Sequence, residues 1–424
     1  MKLLCAPDGY PFPADDDALH VVLYGQPGRT DRGSAGAAAR YDILRAKLEA
    51  APRAWDFLSL ALSVVTADLA SLRERSPDGW TREFDVSVAV SEPAFWATQA
   101  SALEKALAFL TTDRWQLQFI EGGTLPAPPR DSIRPDEDCV VLLSGGLDSL
   151  IGAIDRVEEG KTPLALSQIV RGDAEKQSDF ARKVGGGLRH LQLNHNASAP
   201  GTEESSQRAR SLGFIAFGAL AATTLARHHE GEPVTLYVCE NGFIALNPPL
   251  TGARIGSLST RTAHPEFLAR VQRVLDAADL RVAIENPYLH KTKGEMLLQC
   301  ADQDLLKQEA PASTSCGRFQ RFNYRHCGRC VPCQVRRAAF VAWGHPDETV
   351  YVYEDLGKSD VDHSAFDDVR SVAMAIAEVD SDGLDAWIGS ALSTPHIGDA
   401  VPLRALIERG LSEMAKFHAV YGVK

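Results

Sequence analysis

The sequence predicts an α/β fold in which a parallel sheet is covered by helices on both faces. Strand-like and helix-like segments alternate from Val140 to Ala278, the pattern of repeated βα units. The first of those strands runs into a loop of glycines and serines that opens the next helix. A proline-rich stretch, residues 124–135, sets this region apart from an N-terminal segment with strands and helices of its own. With 424 residues and 24% charged side chains, the chain has the length for two or three domains and an ordinary globular composition.

In chain order, Leu19 to Tyr24 reads as a strand, and Ala37 to Ala50 and Trp55 to Leu72 as helices. Phe84, Val86, Val88 and Val90 alternate as in a half-buried strand, Glu92 to Leu110 is helical, and Trp115, Leu117 and Phe119 alternate again. Residues 1–123 thus form a mixed α/β domain that carries no motif with chemistry in it. After the linker come Val140 to Leu143, Ser149 to Val157, Leu164 to Val170, Ala174 to Val184, His190 to Leu193, Arg210 to His228, Val234 to Val238 and Pro265 to Ala278. In the last helix Phe267, Val271, Val274 and Leu275 recur at helical spacing and form a core stripe. Residues 136–343 are the expected nucleotide domain, with a ligand crevice at the carboxyl ends of its strands. Residues 344–424 form an acidic, mainly helical C-terminal extension. No internal repeat is visible.

Charge and hydropathy narrow the function classes. The net charge is −12, and from Gly344 onward there are 15 acidic against 6 basic residues. Non-specific duplex binding, which needs Lys and Arg to displace counterions from phosphates, is therefore disfavoured. One local basic surface remains: Arg318, Arg321, Arg325, Arg329, Arg336 and Arg337, interleaved with Phe319, Phe322 and Tyr324, for a phosphate-bearing partner, a solvated rim or pairing with the acidic tail. The start of the chain soon meets Asp8, Pro11, Pro13 and Asp15 to Asp17, unlike a secretory signal. The most apolar run, Phe57 to Ala67, falls well short of the roughly twenty residues that span a bilayer. A cytoplasmic protein with no membrane partner is expected.

Two motifs carry chemistry. In Cys139-Val-Val-Leu-Leu-Ser144-Gly145-Gly146-Leu147-Asp148-Ser149 the glycines let backbone N–H groups approach a phosphate chain, and the following helix adds its partial positive charge. Asp148 is either a turn and capping residue or a carboxylate for a magnesium ion on the phosphates. Gly160-Lys161-Thr162 does not extend this to a Walker loop, because Asp155 stands where that pattern needs its first glycine; Gly160 reads as a helix stop. Further on, Cys327, Cys330 and Cys333 follow Cys316 by eleven residues, a spacing suited to a tetrahedral zinc site. Redox pairs are the alternative, without a thioredoxin-like βαβ context. His326 reads as a surface histidine or a replacement for one thiolate. Cys5, Cys139, Cys239 and Cys300 read as buried small apolar residues.

The SGGxDS loop after a strand resembles the signature of the PP-loop ATP pyrophosphatases, of the adenine nucleotide alpha hydrolase-like fold. Together with the spaced cysteines over residues 138–343, it resembles the 7-cyano-7-deazaguanine synthases. Ser206 to Ser211, Glu240-Asn241-Gly242, Thr262 to Phe267 and His290 to Glu295 are similar to further elements of those enzymes. The glutamine-arginine-histidine element of that family is not evident in Ile169 to Asp173. The added N- and C-terminal regions are closer to the synthase-like proteins of the Qat anti-phage system.

The resemblance implies ATP, Mg2+ and Zn2+ as cofactors and a 7-deazaguanine-type small molecule as substrate. The carboxylate of 7-carboxy-7-deazaguanine would attack the α-phosphate of ATP, releasing pyrophosphate, and an amine would then displace AMP to give an amide or, after a second activation, a nitrile. The amine could be ammonia or belong to a partner protein of a defence operon. Ser144, Gly145, Gly146, Leu147, Asp148 and Ser149 would hold ATP, and Asp148, Ser149, Arg210, Lys293 and Arg208 would serve catalysis, the last three being phosphate-facing or ordinary surface cations. Glu240 and Asn241 either read a purine-like edge or cap a strand end. Cys316, Cys327, Cys330 and Cys333 would bind the metal. Two alternatives stand beside this reading, a tRNA-modifying PP-loop enzyme for thiolation or amine transfer, and a non-catalytic nucleotide-binding scaffold.

Overall fold

The computed structural model describes residues 1–14, 17–123, 125–252, 261–356, 368–389, 392 and 399–423. Asp15, Asp16, Thr124 of the linker, residues 253–260 and parts of the acidic extension lie outside the described residues. In chain order the strands are β1 (Lys2–Pro7), β2 (Leu19–Leu23), β3 (Gly33–Ala35), β4 (Glu83–Ala89), β5 (Arg114–Ile120), β6 (Cys139–Leu142), β7 (Pro163–Gln168), β8 (His190–Leu193), β9 (Val234–Tyr237) and β10 (Val282–Glu285). The helices are α1 (Ala37–Arg45), α2 (Pro52–Ala70), α3 (Pro93–Thr111), α4 (Leu147–Glu158), α5 (Ala174–Lys183), α6 (Arg210–Ala222), α7 (Ala226–His229), α8 (Gly242–Ala245), α9 (Pro265–Ala277), α10 (Lys293–Gln299), α11 (Gln303–Glu309), α12 (Val331–Trp343), α13 (Asp368–Asp382), α14 (Leu384–Ile388) and α15 (Ala400–Val420).

They build two five-stranded sheets, both wholly parallel: β3-β2-β1-β4-β5 and β10-β9-β6-β7-β8. The N-terminal region is therefore a sheet of the same kind as the second, and β1, β3 and β10 are added to the strands read from sequence. In each sheet the first strand is central and the chain reverses its direction of growth beside it. That reversal opens a crevice between β6 and β9, at their carboxyl ends.

The sheets share one apolar core. Every residue of α2 from Ala54 to Leu69 is buried, because the first sheet covers one side and α6 the other; a helix apolar all round belongs in such a place. Each large side chain buried there contributes roughly 1.5–3 kcal/mol. A second contact pairs α3 with α9. Polar groups fix the register between the sheets: Asp68 Oδ2 accepts from the backbone N–H groups of Arg208 (2.6 Å) and Ala209 (2.7 Å), just ahead of α6. Asp113 holds Arg73 (3.0 Å) and Arg82 (2.7 Å) beside it, and Glu204 accepts from Arg73 N at 2.8 Å.

Two helices differ from their sequence reading. The helix expected to Ala50 stops at Arg45, where Lys47 takes a positive φ of 55° and its carbonyl accepts from Ile133 N at 2.8 Å, so the proline-rich segment is tied to this turn. The helix expected from Arg210 to His228 breaks after Ala222. There the hydroxyls of Thr223 and Thr224 donate to the carbonyls of Leu220 (2.8 Å) and Ala221 (2.7 Å), a local competition that bends helices. Gly160, at φ +80°, ends the turn after α4 as expected. Among the described residues no helix is long and apolar enough to cross a membrane.

Candidate functional site

The loop Ser144–Gly146 joins the fully buried β6 to α4. Gly145 has φ +87°, and a Cβ there would also press on Asp173 at 3.3 Å. A Cβ on Gly146 would come to 3.2 Å from both Ser144 Oγ and the Thr314 carbonyl. The loop is thus a cradle that side chains would fill. Ser149 Oγ accepts from Ser144 N (3.2 Å) and donates to the Gly146 carbonyl (2.9 Å), and Ser144 Oγ accepts from Gly146 N (3.3 Å). Both serine hydroxyls therefore sit on the loop amides where the α4 dipole begins.

The loop forms one wall of a cavity of about 330 Å³ at the strand ends. Leu142, Gln168 and Val238 mark the ends of β6, β7 and β9, while Arg208, Arg210, Ser211 and Phe214 come from the start of α6. Glu240, Thr262 and Ala263 close the far side. Arg210 makes no hydrogen bond or ion pair with the described residues, and burial lowers its pKa, partly offset by the charge of Asp173. Two further lining groups, Gln168 Nε2 and Ser211 Oγ, are buried without a partner. An uncommitted guanidinium beside two orphaned polar atoms suits a polar anionic ligand.

Asp148, Lys293 and Asn241 lie behind the loop. Asp148 is 5% exposed and does not line the cavity. Its Oδ1 lies 2.6 Å from Lys293 Nζ; its Oδ2 accepts from Asn241 Nδ2 (2.7 Å) and Asn241 N (3.1 Å). Burial is the largest influence and opposes its charge, but the Lys293 ammonium together with hydrogen bonds involving Glu240, Lys293 and Asn241 outweighs it and brings the carboxyl down to about 2. Oδ2 is thus taken by hydrogen bonds, and Oδ1 is held by the ion pair alone. Lys293 faces Asp148 and is no surface cation. The Asn241 amide is saturated as well, since Oδ1 accepts from Ile244 N at 2.9 Å and Nδ2 also donates to Glu240 Oε1 at 3.1 Å. It caps α8, is fully buried and does not line the cavity. Of the pair, Glu240 alone lines the cavity. Arg208 is 3% exposed, its guanidinium 4.7 Å from the Trp80 ring centroid.

The Sγ atoms of Cys316, Cys327, Cys330 and Cys333 lie within 4.8 Å of one another. The Cys316–Cys330 and Cys327–Cys333 separations are 3.9 Å, and sulfurs about 2.3 Å from a tetrahedral zinc stand about 3.8 Å apart. Backbone N–H groups of Arg318 and Cys327 point at Cys316 Sγ, both at 3.4 Å, and that of Cys330 at Cys327 Sγ at 3.3 Å. Hydrogen bonds from the other three thiols, that of Cys316 first, drive Cys327 far below its ordinary pKa. The cluster is compatible with zinc. His326 is a correction to the sequence reading: it is buried, accepts from Ser315 N at 3.0 Å and is not one of the four clustered ligands.

The arginine patch also dissolves. Arg329, Arg336 and Arg337 are buried. Arg336 donates to Ser313 Oγ (2.9 Å) and the Ala310 carbonyl (2.6 Å), and Arg337 to the Glu354 carbonyl (2.9 Å). Arg318 pairs with Asp368 of the acidic extension at 3.6 Å. These four cations tie the cysteine segment to its surroundings, while Arg321 and Arg325 stay exposed.

Sequence reasoning missed Gln168, Ser211 and Thr314. Thr314 N donates to the Gly145 carbonyl at 2.9 Å and its hydroxyl to Asp173 at 2.7 Å, so the cysteine segment is fastened to the glycine loop. Lys176 joins this network through Asp173 (2.8 Å) and Thr314. A glutamine closing an apolar strand is a readable signal for Gln168. Thr314 has none, because its partner lies far away along the chain.

Fold and site together define a PP-loop α/β protein with a four-cysteine cluster. The family model described as queuosine biosynthesis protein QueC matches residues 262–344. Over 237 residues the chain is 30% identical to the 7-cyano-7-deazaguanine synthase of Paracoccus denitrificans, covering 51% of this chain and 94% of that protein. The synthase of Novosphingobium aromaticivorans is 30% identical over 247 residues, 53% and 98% of the two chains, and that of Rhizorhabdus wittichii 29% over 242 residues, 51% and 97%. The chain belongs to the 7-cyano-7-deazaguanine synthase family, and about half of it lies outside these matches.

Proposed function

We propose that the chain is an ATP-dependent, AMP- and pyrophosphate-forming ligase that activates the carboxylate of 7-carboxy-7-deazaguanine for amide or nitrile formation. The observation that carries this is the uncommitted Arg210 facing the same cavity as Ser144 and Ser149. The loop amides and serine hydroxyls would hold the phosphates of ATP, a substrate here, and Arg210 would neutralise charge growing on the departing pyrophosphate. Gln168, Ser211 and Glu240 would meet the heterocycle. Magnesium would enter with the triphosphate, while Asp148 would hold Lys293 and Asn241 in place. Zinc on the four thiolates would fix the segment that carries Thr314 against the loop.

The test is to incubate the full chain with ATP and 7-carboxy-7-deazaguanine and to separate the nucleotides. AMP and pyrophosphate that depend on the acid are expected, and Arg210→Ala should slow their release on the order of 100-fold. ADP as product, or no turnover, overturns the proposal and in the second case leaves the scaffold reading. Burial of Arg329, Arg336 and Arg337, half of the arginine patch, counts against a broad basic face for a tRNA substrate. The half of the chain outside the relatives' matches supports a macromolecular amine as acceptor, as in a Qat-type defence module. Mass spectrometry would then find the deazaguanine on a copurifying protein rather than a free amide or nitrile.

A further inference from the structure

Two of the groups that hold Asp148, Lys293 and Asn241, each stand at the start of a short helix, α10 and α8. The long C-terminal helix α15 packs on both. Gly410 of α15 lies so close to α8 that a methyl there would overlap the Phe243 ring, and a methyl on Gly242 would strike the Leu289 carbonyl and Leu406. On the α10 side, Glu413 accepts a hydrogen bond from the Thr292 hydroxyl and another from Gly294 N at 3.3 Å. Thr292 in turn caps α10 through Glu295 N at 3.1 Å. A Cβ on Gly294 would stand 2.6 Å from Glu413 Oε1. One turn earlier Arg409 donates to Glu295 at 2.6 Å and to the His290 carbonyl at 2.9 Å. Lys293 lies inside this clamp, with its side chain directed at Asp148.

We propose that α15 is a positioning element for the nucleotide loop, with Glu413 as the residue that fixes the first turn of α10 and so holds Lys293 against Asp148. Hydrophobic contact alone, through Leu403, Leu406, Ile407 and Phe417, would seat the helix without a carboxylate placed on the α10 N-terminus. Glu413 neither lines the cavity nor touches the loop, so it acts through Thr292, Gly294 and Lys293. The catalytic consequence rests on the proposed ligase reading; the positional one does not.

Two readouts on the full-length protein separate these. The first is acetylation of each lysine amine by an activated acetate ester, read peptide by peptide without ATP. In Glu413→Ala the Lys293 amine should react about tenfold faster than in the wild type, the effect of losing a buried hydrogen-bond partner, while Lys105 on α3 keeps its rate. Glu413→Gln, which retains an acceptor for Thr292, should fall between the two, and Arg409→Ala should give a smaller rise. The second is AMP formation, where Glu413→Ala should lower kcat more than it raises the KM for ATP. An unchanged Lys293 rate in folded Glu413→Ala, or an equal rise at every lysine, overturns the proposal. If that variant does not fold, unchanged Lys293 rates in Glu413→Gln and Arg409→Ala overturn it. A selective Lys293 response in a protein that never forms AMP upholds the positioning and defeats the ligase reading.

Discussion

The two sheets have the same strand order and opposite fates. In the second, β6 passes through Ser144–Gly146 directly into α4, and the crevice beside β9 stays open as a cavity of about 330 Å³. In the first, β1 passes through Pro7, Asp8 and Gly9 to β2 with no helix between them among the described residues. The end of β4 is closed there: Asp56 of α2 accepts from Ser91 N (2.8 Å), Ser91 Oγ (2.7 Å) and Trp96 Nε1 (3.0 Å). Reversal of strand order creates a place for a ligand, and the loop chemistry decides whether the place is used. The first sheet has put its polar groups into holding the second, through Asp68 at the start of α6.

The largest effect that separates the two halves should come from the cysteine cluster. A structural zinc contributes on the order of 10 kcal/mol to the segment it organises. Chelation, or Cys327→Ser, should therefore release Thr314 from Gly145. Hydrogen exchange should then show residues 144–149 and 313–333 losing protection while β1 to β5 keep theirs; equal loss in both sheets would deny the link between cluster and loop.

Smaller is the cost of filling the loop. Gly146→Val, whose side chain would meet Ser144 Oγ and the Thr314 carbonyl, should weaken ATP binding on the order of 100-fold. Gly9→Ala at the matching turn of the first sheet, at φ +86° with nothing within 4 Å, should cost roughly 1–2 kcal/mol of stability and leave binding unchanged. Calorimetric titration of both variants sharpens the comparison, and equal losses of affinity would break it.

The smallest expected effect is a pH dependence on the second-sheet side. Burial raises the Glu413 carboxyl to about 7, with Thr292 and Gly294 opposing, Glu295 adding to the rise and Lys416 reducing it. The folded state thus holds this proton more tightly than the unfolded one. Stability should fall as the pH climbs from about 4.5 to 7, by on the order of 1–3 kcal/mol, and stay level above. Thermal unfolding of Glu413→Gln should lose that slope; an identical slope would assign it to other groups.

Much of this was legible beforehand. Alternation marked β4 and β5, apolar runs marked β6, β7 and β9, and the SGGxDS and cysteine spacings marked the loop and the cluster, because each signal lies within a few residues of chain. β1, β3 and β10 were not marked: they are short, β3 opens with a glycine, and their partners lie across long crossovers. The shared strand order has no sequence repeat behind it, since parallel pairing is made by backbone groups that any side chain supplies.

Asp148 shows where local reading ended. Its place in the motif left two readings, a turn and capping residue or a carboxylate for magnesium on the phosphates, and only the fold shows that it faces Lys293 and Asn241, 145 and 93 residues away. The sequence by itself determined the strand–loop–helix unit and the four-cysteine cluster, whose chemistry depends on neighbours in the chain. Only the tertiary structure decided that Arg210 is uncommitted among the described residues, that Arg336 and His326 are buried, and that α15 reaches the starts of α8 and α10 behind the loop, because burial and ion pairing depend on what distant segments bring to the same point in space.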